Sequence, residues 1–113
     1  MVYVKEVVLI IALFLIIIFS TSFTALFWRE PVILTFSLLT LSIFSLIFFH
    51  TKTDVIIFIT IGIGASFVEA FCIYFGAWNY AKPMHLIPIW LPMLWGLAAL
   101  VIRRFSLEVD KVK

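Results

Sequence analysis

Charged side chains are scarce in this chain of 113 residues: only 12% are Asp, Glu, Lys or Arg, about half of what a soluble domain uses to cover its surface. Cysteine occurs once, as Cys72, which excludes an intrachain disulfide and a cysteine-based zinc cluster. Cys72 lies in an apolar run, where a small buried side chain is expected. The net charge of +2 is small and scattered, so no basic face can be assembled for nucleic acid. The chain has no internal repeat, low-complexity segment or flexible linker, and no phosphate loop, nucleophile–base pair or metal motif. No cofactor is therefore expected.

What fills the space is apolar. Hydrophobic residues make up 65% of the chain, Phe alone occurs 13 times, and the mean hydropathy is +1.28. Four apolar runs stand out, at residues 7–27, 31–49, 55–75 and 86–102. Each is near the ~20 residues that a helix needs to cross ~30 Å of hydrocarbon. Ile, Val and Phe favour strands in water, but strands in lipid must close into a barrel, and these runs lack the required inside–outside alternation. The expected fold is all-α: one transmembrane domain over residues 1–113, a four-helix bundle in the lipid bilayer. Lys5 ahead of the first run raises the possibility of a signal peptide. The run exceeds a usual signal core, and Phe23 stands where a small residue is wanted, so a retained span is expected.

Orientation follows from the cations. With four spans, Lys5, Lys52, Arg103, Arg104, Lys111 and Lys113 share one side, while Arg29 and Lys82 lie on the other. That excess places both termini in the cytoplasm of a multi-pass cell-membrane protein. Trp28, Trp78 and Tyr80 then anchor the outer interface. His50 and His85 fall on opposite sides and cannot share a metal. Lys82 and His85 are read as solvated loop residues.

Glu69 is the one acidic or basic residue well inside a run. A carboxylate at mid-bilayer costs ~2.5–3.5 kcal/mol on insertion scales, so it must be protonated, partnered or reached by water. Stepping three and four residues from Glu69 meets Gly62, Ala65, Ser66, Cys72 and Gly76, whereas Phe67 and Phe71 project from the other side. A small stripe admits a neighbouring helix and a bulky one suits lipid, so Glu69 is expected to face the bundle. Counting to the same depth reaches Thr21 among Ser20, Ser22 and Thr24 on the first span, Ser37 near Thr35 on the second, and Pro92 on the fourth. In the fourth run, Pro92 is expected to kink the helix and free the carbonyl of Pro88, and Pro88 that of Met84. Trp90 and Trp95 flank this proline segment. The expected ligand-binding set is Glu69, Ser66, Ser20, Thr21, Ser37, Trp90 and Trp95, with Glu69 also the candidate catalytic acid.

Glu69, followed by Gly76-Ala77-Trp78-Asn79-Tyr80, Pro83 and Ile87-Pro88, resembles the acid, Gly-x-Trp/Tyr-x-Tyr and Ile-Pro pattern of membrane-embedded carotenoid cyclases and hydratases. That resemblance implies acid-promoted chemistry on a polyene with Glu69 as the acid. The cyclases carry paired acids after the proline, where this chain has Ile89 and Trp90. The stretch from Pro88 to Gly96 is also similar to small polytopic membrane proteins of unassigned activity. In size, number of spans and possession of a single membrane glutamate, the chain looks like the small multidrug-resistance transporters, whose glutamate lies in the first span. The leading expectation is a ligand- or proton-binding role in transport, or as a subunit of a homo-oligomer or larger membrane complex, centred on Glu69. An isoprenoid or carotenoid enzyme and a purely structural assembly protein are the alternatives.

Overall fold

A computed structural model describes residues 2–78 and 87–112. Asn79, Tyr80, Lys82, Pro83, Met84, His85 and Leu86, which enter the sequence reading above, lie outside the described residues, as does Lys113. The described residues form four α-helices: α1 (Val2–Phe27), α2 (Pro31–Phe49), α3 (Lys52–Tyr74) and α4 (Leu91–Val112). The first three are long and apolar enough to cross a membrane.

Short turns with legible chemistry separate α1 from α2 and α2 from α3. Pro31 opens α2, where its missing amide proton costs no helical bond. The helix ends at His50, which takes a left-handed conformation (φ 41°) while its amide donates to the Leu46 carbonyl. Thr51 caps α3: its hydroxyl oxygen accepts from the Asp54 amide at 3.2 Å, which satisfies one of the orphan donors of the first turn.

The fourth element departs from expectation. The helix begins at Leu91 and continues through the charged residues 103–112, a segment the sequence reading treated as a tail. Pro92 is therefore in its first turn and breaks no internal bond. The Pro88 carbonyl is not released: it accepts from the Leu91 amide at 3.2 Å. The expected proline kink is absent because the turn at Ile89-Trp90 precedes the helix. The apolar part of α4, residues 91–102, rises only about 18 Å.

α4 is the hub. It packs against α1, α2 and most extensively α3, while α1 also packs on α2, and α2 touches α3 only lightly. Among the described residues α1 and α3 do not pack together. The seams follow helical spacing, with Leu13, Ile16 and Ser20 on α1, Leu34, Leu38, Ser42, Ser45 and Phe49 on α2, and Leu97, Leu100 and Val101 on α4 all buried. Polar groups lie inside, including Ser66, Asp54 and Glu108, while Phe36, Phe44, Phe67 and Phe71 are 64–72% exposed. Large apolar side chains thus cover the outer surface as well as the seams, unlike a protein folded in water.

Ion pairs and ring contacts fix which ends meet. Lys111 of α4 reaches Glu6 of α1 at 3.6 Å, Phe105 meets Phe14 edge-on, and Arg104 stacks over Phe49 at the end of α2. The beginnings of α1 and α3 and the ends of α2 and α4 therefore share one end of the bundle. Trp28, with Arg29 over its ring, belongs to the opposite end.

Candidate functional site

Tight contact between α3 and α4 depends on glycine. A Cβ on Gly62 would lie 2.6 Å from the Pro92 carbonyl oxygen, and one on Gly96 would lie 2.7 Å from the Phe58 ring. The two backbones approach here as only small residues permit. Ser66, one turn beyond Gly62, is buried and donates to the Gly62 carbonyl at 2.7 Å. The Gly62/Ser66 part of the small stripe of α3 is thus covered by α4, whereas Gly76 further along it is exposed.

Glu69 comes next on this face. It is half-buried, and its Oε2 accepts a hydrogen bond from the indole Nε1 of Trp95 at 2.7 Å. Trp95 is 37% exposed, so the contact lies at the margin of the helix pair. An indole N–H can only donate. A carboxyl group can accept that bond through an oxygen whether it is ionised or protonated, so the bond to Trp95 survives either state of Glu69.

The other expected site residues are spread over the bundle. Trp90 is buried in the turn before α4. Ser20 and Thr21 line a groove of about 290 Å³ between α1 and α4, beside Leu94, Leu97 and Ala98. Ser37 lies with Phe19, Phe23 and Thr40 in a separate groove between α1 and α2. Ser20 and Ser37 bond to carbonyls of their own helices, Ile17 at 3.1 Å and Ile33 at 2.9 Å. Thr24, Thr35 and Thr40 do the same. The structure brings Glu69, Ser66 and Trp95 to one interface and leaves the hydroxyls of α1 and α2 on others. Cys72 is half-buried rather than fully enclosed.

Sequence reasoning overlooked a second acidic contact at the other end of the same pair. Asp54 is fully buried. Its Oδ1 accepts from Arg103 Nη1 at 2.6 Å and from Arg104 Nε at 3.2 Å. Its Oδ2 accepts from Arg104 Nη2 and from the Thr51 hydroxyl, the latter at 2.5 Å. Four donors occupy a group with about four lone-pair sites, and one of the two arginines engages it in the bidentate geometry that guanidinium favours. The signal was Thr51-x-x-Asp54 ahead of an apolar run, a capping pattern. No spacing rule, however, links Asp54 to partners 49 and 50 residues away.

A third polar contact closes the same end of the bundle. Lys111 lies 3.0 Å from Glu108 and 3.6 Å from Glu6. Hydrogen bonding to Glu6 and then to Lys111 holds the Glu108 carboxyl below its ordinary range, against the opposing effect of burial. Glu108 in turn pushes the Lys111 ammonium up. No group of His, Cys, Asp and Glu among the described residues is arranged to hold a metal ion.

Comparison with protein-family models, with curated proteins and with solved structures finds no match to this chain.

Proposed function

We propose that this is a small multi-pass protein of the cell membrane in which Glu69 binds a proton or a cationic ligand, serving transport or a larger membrane complex. The observation that carries the reading is the Trp95–Glu69 hydrogen bond, which joins α3 to α4 at a half-buried acid. An acid inside an apolar helix is costly, and such residues mark proton or ion sites by default. The indole steadies this carboxyl without fixing its protonation state.

The three long apolar helices support insertion, and an exterior dominated by Ile, Phe and Val fits acyl chains better than water. α4 with the preceding turn makes the fourth crossing. Arg103 and Arg104 end its apolar part, and pairing with Asp54 reduces the cost of holding them at the membrane boundary. The excess of Lys and Arg at the end containing both termini assigns that end to the cytoplasm. Glu69 then opens toward the outer half of the membrane. A bundle this small encloses a pathway only with further subunits.

The test is a proteoliposome assay of proton-linked ligand movement with Glu69→Gln. The account expects transport to be lost and the helical content and detergent-solubilised melting profile to be retained. Retained transport overturns the transport role. If the wild-type protein moves no ligand but co-purifies in a larger assembly that Glu69→Gln disrupts, the subunit role stands instead.

A further inference from the structure

The Asp54 cluster carries more positive charge than it consumes. Asp54 engages one nitrogen of Arg103 and two of Arg104. The other guanidinium nitrogens reach no acceptor among the described residues, and the two side chains keep 24% and 17% exposure. Asp54 bonds both guanidiniums, and the buried Glu108 one turn beyond Arg104 feels the charge of that arginine. The exposed Lys52 adds a third cation in the capping segment, so three cations stand against two carboxylates. Depth is also fixed, because the apolar run of α3 starts at Val55, immediately after Asp54. The arginines therefore stand where hydrocarbon gives way to lipid headgroups. The face of Arg104 toward Phe49 is closed by the ring at 4.4 Å, and Asp54 takes its Nε/Nη2 edge. This leaves Nη1 of Arg104 and Nε and Nη2 of Arg103 as the open donors.

We infer that Arg103, Arg104 and Lys52 form a binding site for the phosphate of an anionic phospholipid in the leaflet at the Asp54 end of the bundle. Guanidinium forks match phosphate oxygens in geometry and charge. A headgroup of net negative charge complements the excess cations, whereas a zwitterionic headgroup brings its own ammonium into the same space. Asp54 acts as the positioning residue, since it holds both guanidiniums at the boundary and prevents them from extending freely into water. The inference rests on the helices crossing a bilayer and is independent of any role for Glu69.

The experiment uses the full chain reconstituted in phosphatidylcholine bilayers containing spin-labelled phosphatidylglycerol or spin-labelled phosphatidylcholine. The fraction of motionally restricted label reports lipid at the protein surface. The expected result is a preference for phosphatidylglycerol that falls about fivefold for each cation removed, in Arg103→Gln and in Lys52→Gln. Arg103→Gln keeps the bidentate Arg104–Asp54 pair, and Lys52→Gln touches no bond of the cluster, so at least one variant reports on a folded protein. Arg29→Gln, at the opposite end, should leave the preference unchanged. Equal restriction of the two lipids in wild type, or a preference indifferent to both variants, overturns the inference. A preference abolished by inorganic phosphate but not by chloride of equal ionic strength also overturns it, in favour of a soluble anion. Failure to enter bilayers at all would instead sink the membrane reading on which this site rests.

Discussion

Asp54 and Glu69 are both acids of α3 held by donors from α4, yet the two contacts differ in kind. Asp54 is fully enclosed and accepts four hydrogen bonds, three of them from guanidinium nitrogens. A proton could join it only by displacing a donor. Glu69, about 22 Å further along the helix, is half-buried and grips a neutral indole. Its contact to Trp95 tolerates a change of protonation. On the proposed function, one end of the α3–α4 pair is a clamp and the other a site that can change state. What differs between them is enclosure and the charge of the donors from α4, two guanidiniums at Asp54 and an indole at Glu69.

The largest effect that sharpens this contrast is expected at Asp54. Asp54→Ala leaves two guanidiniums without their carboxylate, which costs about 3 kcal/mol by the behaviour of broken buried pairs. Chemical unfolding of the reconstituted protein measures this, and a loss below about 1 kcal/mol would break the comparison. Between the two acids, Gly62→Ala should cost about 1–3 kcal/mol, because its Cβ meets a backbone oxygen that cannot step aside. Gly64 meets nothing within 4 Å, so Gly64→Ala should be neutral or gain up to about 1 kcal/mol through helix propensity. Equal costs at the two glycines would deny that α3 and α4 meet on the Gly62 face.

At Glu69 the expected structural effects are smaller. Glu69→Gln keeps an oxygen for the Trp95 indole, so stability should change by less than about 1 kcal/mol. Trp95→Phe removes the donor, and about 0.5–1.5 kcal/mol is expected for the lost bond. A larger destabilisation in Glu69→Gln than in Asp54→Ala would reverse the assignment of clamp and site. Lys111→Gln should be the mildest change, no more than a small shift of a melting profile, because the Lys111 side chain is half exposed although Glu108 is buried.

Much of this geometry was legible at Glu69 and little of it at Asp54. The spacing of Gly62, Ser66 and Glu69 identified the face of α3 that packs on α4, because in lipid small residues mark close approach whatever the partner is. Asp54 stands one residue ahead of the third apolar run, outside the span the sequence marks. Its capping pattern with Thr51 is local, but its partners come from the far end of the chain, and only tertiary packing joins them. The helix beyond Arg103 was missed because charge was taken as the end of a span. Charges at 104, 108 and 111 nevertheless recur at helical spacing, and Glu108 pairs with Lys111 one turn away. The hydroxyls of Ser20 and Ser37 did not converge on Glu69. Within an apolar helix a hydroxyl is satisfied most simply by its own backbone, and depth alone says nothing about the direction in which it points.

The most direct measurement of the central claim is a pH titration of the bilayer-reconstituted protein by infrared difference spectroscopy, following the carbonyl stretch of protonated carboxyl groups. The account predicts that one component of the titrating carbonyl band, beside those of the other acids, is missing from Glu69→Gln and present in Asp54→Asn. A component that persists in Glu69→Gln and is missing from Asp54→Asn would contradict it.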